Sequence, residues 1–133
     1  MDDARIRVPQ PFDFDLTVRH QTYYRGRAGA DLYAGGAYYR ALRRPDGGAF
    51  AVRVAPAGDG WLDVSLPTGG VASDLALATG VVPRLLGFEA DLPGFYARIA
   101  ADPVLAATVG ALHGLRPARA ESVFEALVMA IAA

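Results

Sequence analysis

Hydrophobic and polar positions change their rhythm midway along the chain. From Phe12 to Val18 they alternate strictly, placing Phe12, Phe14, Leu16 and Val18 on one face, and this spacing predicts a strand. Residues 36–44 carry Tyr38, Tyr39 and Leu42 among arginines; Pro45-Asp46-Gly47-Gly48 supplies a turn, and Phe50, Val52 and Val54 alternate again. That arrangement predicts a hairpin. A second turn, Ala57-Gly58-Asp59-Gly60, leads into Leu62, Val64 and Leu66, with Asp63 and Ser65 facing water. The expected product is an antiparallel sheet with one wet face.

The second half follows a helical period. Val71, Leu75, Ala78, Val82 and Leu85 lie close to one helix face suited to cover the sheet, but Gly80 and Pro83 interrupt it and predict a kink or two short helices. Asp91 is placed to cap a helix carrying Phe95, Tyr96 and Ile99, and Asp102-Pro103 to start another carrying Leu105, Val109 and Leu112. Gly114 is expected to close that helix in a Schellman-type cap, with Leu115 folding back on Val109 and His113 near the negative end of the dipole. Ser122 and Glu125 form a capping box, so a last helix begins there; its stripe of Phe124, Leu127, Val128 and Ile131 needs a partner surface. Strands followed by helices make the fold class α+β, with the composition shift near Gly87 as the expected boundary.

Composition removes several function classes. At 133 residues and 53% hydrophobic content the chain suffices for a real core, and 13 basic against 14 acidic residues leave no broad field for polyanions. With no cysteine, and with His20 and His113 far apart, neither a thiol nucleophile nor a metal centre is expected, and no cofactor is implied. The start, Met1-Asp2-Asp3-Ala4-Arg5, lacks an apolar signal region and no apolar run is long enough to span a bilayer, so a soluble cytoplasmic protein is expected. Asp13, Asp15 and Asp63 read as the outward positions of strands rather than as a catalytic pair. Arg40, Arg43 and Arg44 beside Tyr38 and Tyr39 read as a solvated sheet face, although arginine with aromatics also suits nucleic acid. Tyr23-Tyr24 and Tyr33 read as packing residues with polar tips, or as the rim of a local pocket. Arg116 and Arg119 flank the junction: they are candidates for phosphate contact, and in a linker with Pro117 they also serve solubility.

The stretch RLLGFEADLPGFYARIAADPVLAATVGALHGLRPARAESVFEALVMAIAA resembles the segment that links the N-terminal domain of DNA-3-methyladenine glycosylase II enzymes to their helix-hairpin-helix domain. Its most specific pieces are Leu86-Gly87-Phe88, Asp91-Leu92, Asp102-Pro103, Gly114-Leu115-Arg116-Pro117 and Phe124-Glu125-Ala126-Leu127-Val128 with Ala130-Ile131. Upstream, Pro11-Phe12-Asp13-Phe14 and Tyr38-Tyr39-Arg40-Ala41-Leu42 are similar to the family's sheet domain. The resemblance implies a TBP-like sheet domain over residues 1–87 and, over 88–133, two or three helices from the start of an all-α domain. It implies a parent that flips alkylated purines out of duplex DNA and hydrolyses the N-glycosidic bond, with the catalytic hairpin and aspartate beyond Ala133, so that these residues alone are inactive and no catalytic residue is assigned among them. It places His20 at the rim of the base pocket, against a plain surface histidine. The alternative is a standalone, non-catalytic module whose Phe124, Leu127, Val128 and Ile131 bind a separate catalytic half or a second copy.

Overall fold

The computed structural model describes residues 3–23, 30–117 and 119–132. Among these residues five strands, β1 (Asp3–Arg7), β2 (Asp31–Ala34), β3 (Ala37–Arg43), β4 (Ala49–Gly58) and β5 (Trp61–Ser65), form one antiparallel sheet in the order β1-β5-β4-β3-β2. Among the described residues five helices accompany it: α1 (Phe14–Thr22), α2 (Ala72–Leu85), α3 (Leu92–Ile99), α4 (Pro103–Ala111) and α5 (Val123–Ala132). Both expected hairpins form. Arg44 and Gly48 close the first, and Gly58, Asp59 and Gly60, all at positive φ, make the second. The core lies on one face of the sheet, where Tyr38, Leu42, Phe50, Val52, Val54, Leu62 and Val64 meet Phe14 and Val18 of α1 and Ala78, Val82 and Leu85 of α2.

The alternation at Phe12–Val18 is not a strand. Asp13 precedes a helix and accepts the backbone N–H of Leu16 at 2.9 Å, so the aspartate read as outward-facing is an N-cap. The residues α1 buries are Phe14, Thr17, Val18 and Gln21, spaced i, i+3, i+4 and i+7. Two of the four are polar, which hides the helical stripe. Their partners come from afar: Gln21 donates to the Tyr38 hydroxyl at 3.1 Å, and Thr17 accepts the backbone N–H of Arg116 at 3.1 Å. Asp15, likewise read as solvent-facing, accepts from the Tyr33 hydroxyl of β2 and from Arg19 at 2.7 Å, and the Tyr33 bond, followed by Arg19, holds its carboxyl below the ordinary value. Tyr33 therefore joins α1 to the sheet. Tyr23 is exposed, and Tyr24 lies outside the described residues.

α2 is one continuous helix and not the two short ones that Gly80 and Pro83 offered as an alternative to a kink. Pro83 sits in the last turn, where only one carbonyl loses its backbone donor, and Gly80 faces open space. A proline inside a helix costs about 3 kcal/mol, whereas fully burying Val82, Leu85 and Leu86 returns about 1.5–3 kcal/mol each, so packing decides. At the other end Arg44 grips Asp74 with two bonds of 2.7 and 2.8 Å, tying the first hairpin to α2; that pairing, aided by the Val71 N–H, keeps the Asp74 carboxyl below its usual range.

Asp91 and Asp102 cap α3 and α4 as expected, accepting from Gly94 and from Val104 and Leu105. Gly114 acts differently from a simple helix stop. It stands three residues past the end of α4 at φ +86°, and its carbonyl accepts the Asp13 N–H at 2.8 Å while its own N–H donates to Tyr96 at 2.9 Å. His113 stacks on Tyr96 with centroids 5.0 Å apart. A Cβ on Gly114 would lie 2.7 Å from the Asp13 nitrogen, which is backbone and cannot yield. Gly114→Ala is therefore expected to cost about 1–3 kcal/mol in urea unfolding, whereas Gly80→Ala, mid-helix with open space around it, should gain up to about 1 kcal/mol.

Candidate docking site where the sheet meets the last helix

Two buried arginines organise the junction between the sheet and the helices beyond it. Arg40 occupies an inward position of β3, between Tyr38 and Leu42, where the alternation demands an apolar side chain. Its guanidinium is instead surrounded by carboxylates: Asp31 of the neighbouring strand at 2.6 Å, Glu121 at 3.0 Å and Glu125 at 2.8 Å. Burial works against its charge, but Asp31 and Glu121 outweigh burial, and the group is held above its usual pKa. The solvated-face reading is thus wrong for Arg40, whose residue is 3% exposed, and for Arg44, which is engaged by Asp74; Arg43 alone of the three is exposed.

The same carboxylates begin α5. Ser122 accepts the Glu125 N–H at 3.1 Å, the serine half of the expected capping box, but the Glu125 carboxylate reaches back to the N–H of Glu121 at 2.5 Å, one residue earlier than expected, while its other oxygen meets Arg40. Arg84 of α2 donates to the Glu121 carbonyl at 2.8 Å. The first turn of α5 is therefore moored by charge and hydrogen bonds. No residue of α5 is buried, and its stripe stays bare, with Phe124 77% and Ile131 83% exposed.

Arg116 moves inward, against expectation. It is 1% exposed and its guanidinium donates to the carbonyls of Gly87, Phe88 and Ala90 just past α2 at 3.0, 3.3 and 2.8 Å, and to that of Pro9 at 3.2 Å. Three of those carbonyls follow the C-terminal end of α2, the negative end of its dipole, which favours a cation. Burial is the main influence on its pKa and lowers it, opposed by Tyr96. With its donors turned to four carbonyls Arg116 does not reach phosphate, and its role is to strap residues 112–117 to the sheet unit. Gly87, at φ +72°, permits this closeness: a Cβ there would strike the Pro117 carbonyl at 2.6 Å.

The other two site candidates point outward and away from this cluster. Arg119 is half exposed, 3.6 Å from Glu89, and His20 is exposed in the last turn of α1 rather than at a strand end, while Thr17 and Gln21 on the same helix are buried. Arg40 and Asp31 were the residues that pattern reading missed. The available signal was their register: both stand at positions where their strands turn toward the core.

An open antiparallel sheet with helices on one face and a further helix moored at the junction is an α+β unit of TBP-like design. The family model of the AlkA N-terminal domain matches residues 4–122, and the chain belongs to that family. Among solved structures, a 3-methyladenine DNA-glycosylase from Archaeoglobus fulgidus shares the fold with a TM-score of 0.74 and 20% identity, over 96% of this chain and 43% of that one. The present chain thus spans less than half of that protein's length. No curated protein sequence matches it.

Arg40→Met should take the shared cation from three carboxylates, one of them fully buried, and cost about 3–5 kcal/mol of stability. Glu121→Gln should be milder and local. Hydrogen exchange is expected to rise over residues 121–132 in that variant while β3 and β4 keep their protection.

Proposed function

We propose that these residues form the N-terminal, scaffold-bearing part of a base-excision-repair DNA glycosylase that hydrolyses the N-glycosidic bond of alkylated purines after flipping them from the duplex. The observation that carries this reading is α5 in a chain of the AlkA N-terminal domain family: its first turn is fixed to the sheet by Arg40, and its apolar face is uncovered among the described residues. A helix so presented is suited to begin a helical domain that covers it. In this reading the sheet domain runs to Gly87, the helices after it lead into the helical domain, and Arg116 fastens the two. The hydrolytic aspartate and the hairpin that grips phosphate belong to residues other than these 133. Supporting this, Asp13, Asp91 and Asp102 cap helices, while Asp15, Asp31, Asp63 and Asp74 are bound to arginines or a tyrosine. His20 serves as part of the base-pocket rim and Arg119 as a phosphate contact in the complete, cytoplasmic protein. No helix among the described residues is long and apolar enough to cross a membrane.

Incubated with duplex DNA carrying 3-methyladenine or hypoxanthine, the 133-residue chain is expected to release no free base above a no-protein control. Release that disappears when Asp15 is changed to Asn would overturn the proposal. The exposed α5 stripe supports a second reading, a module that pairs with a separate helical half or with a second copy through Phe124, Leu127, Val128 and Ile131. Phe124→Asp and Ile131→Asp should raise solubility or reduce self-association by light scattering, with the thermal transition of the sheet almost unchanged. Unfolding of the whole chain as a monomer in either variant would make α5 an integral part of one self-contained domain.

A further inference from the structure

The sheet has a second face that the core does not use, and strand alternation loads it with arginine. Arg5 and Arg7 point outward from β1, Arg53 from β4 and Arg43 from β3, as the alternating burial of each strand shows. Across the ladder Arg5 stands beside Asp63 and Arg7 beside Trp61, while Arg53 lies between Tyr39 and Ser65. Among the described strand residues the outward acids are Asp3 and Asp63, so four arginines face two aspartates on one surface of a protein whose net charge is -1. Positive charge is therefore concentrated here rather than spread.

The arrangement has two rims. Arg5 and Arg7 form one at the β1 edge, Arg43 and Arg53 the other on β3 and β4, two strand spacings from β1 for Arg53, about 10 Å, and three for Arg43, about 14 Å. Between them β5 presents Asp63 and Ser65 outward, with Ala55 of β4 beside Asp63, while the paired Ala41 and Ala51 lie within the second group, between Arg53 and Arg43. Neither rim arginine of β1 is sealed off: Asp63 takes only the Nε of Arg5, at 2.9 Å, and the Arg7 guanidinium lies over the Trp61 ring at 5.3 Å, a cation–π contact that takes up no carboxylate. Arginine forks bind phosphate well, and arginines set apart across four strands of one open face suit a continuous polyanion better than a point ligand. The aromatic residues do not offer a stacking platform, since Arg7 occupies one face of Trp61 and Tyr39 is half-buried, so the contact is with a backbone rather than with unpaired bases.

We propose that this open sheet face binds the phosphodiester backbone of duplex DNA without regard to sequence or damage, as a second contact surface on the side of the sheet opposite Arg40 and the core. It does not rest on the glycosylase reading.

The test is fluorescence anisotropy of the 133-residue chain with an undamaged labelled duplex, titrated between about 50 and 200 mM salt. Binding is expected to weaken with a log–log slope of about -2 to -4, from about 0.9 per phosphate engaged by two to four arginines. Arg7→Glu and Arg53→Glu should each weaken binding about fivefold at the lowest salt, and together flatten the slope by about 2. Arg98→Glu, the same charge change on α3, should leave both quantities as in the parent chain. Circular dichroism melting of each variant, with Arg7→Ala and Arg53→Ala as uncharged counterparts, separates lost binding from lost folding. Equal losses in Arg98→Glu, a slope near zero, or better competition by single-stranded DNA or polyglutamate than by duplex would each overturn the proposal. Because the duplex is undamaged and no base release is read, failure here leaves the proposed glycosylase role untouched.

Discussion

The guanidinium of Arg40 is the constraint around which the junction is arranged. A cation at an inward sheet position loses its hydration, and in a protein interior that costs several kcal/mol unless carboxylates replace the water. Asp31 answers from the adjacent strand, and Glu121 and Glu125 answer from the start of α5. The need to neutralise one buried charge therefore decides where a helix distant in sequence begins. Because Glu125 also caps the backbone at Glu121, helix initiation and docking to the sheet use one side chain.

Arg116 solves the complementary problem with neutral groups. Its positive charge is spread over the carbonyls that follow α2 and over Pro9, so the N-terminal segment, the end of α2 and the 112–117 strap meet at one side chain. Thr17 joins the same cluster from α1 through the Arg116 N–H, and Gly114 bonds the Asp13 backbone beside it. The composition shift near Gly87 is accordingly not a gap in packing.

These two clusters give the unit its polarity. On one side of the sheet, buried charges and helices leave α5 presented with an apolar face; on the other, Arg5, Arg7, Arg43 and Arg53 meet solvent. The apolar face is suited to a protein surface and the arginine face to a polyanion, so the two contacts need not compete for the same ground.

Local chemistry determined much of this from the sequence by itself. The hairpins around Pro45–Gly48 and Gly58–Gly60, the caps at Asp91, Asp102 and Ser122, and the bare stripe of α5 depend on turn conformations, orphan N–H groups and periodicity, all of which act within a few residues. Tertiary structure alone decided the rest. Phe12–Val18 satisfies both periods over so short a span, and from Phe14 it is a helix because Tyr38 and Arg116 supply partners for Gln21 and Thr17, which a strand would have sent elsewhere. β2 escaped notice because its inward residues include Asp31 and its exposed ones are the apolar Leu32 and Ala34, a reversal that makes sense only once Arg40 is beside it. Arg116 and Arg119 look alike in sequence, yet one fills a cage of carbonyls and the other faces water, since the carbonyls that distinguish them come from residues 9 and 87–90. A buried charge takes its meaning from partners brought by the fold, and those partners leave no mark at its own position.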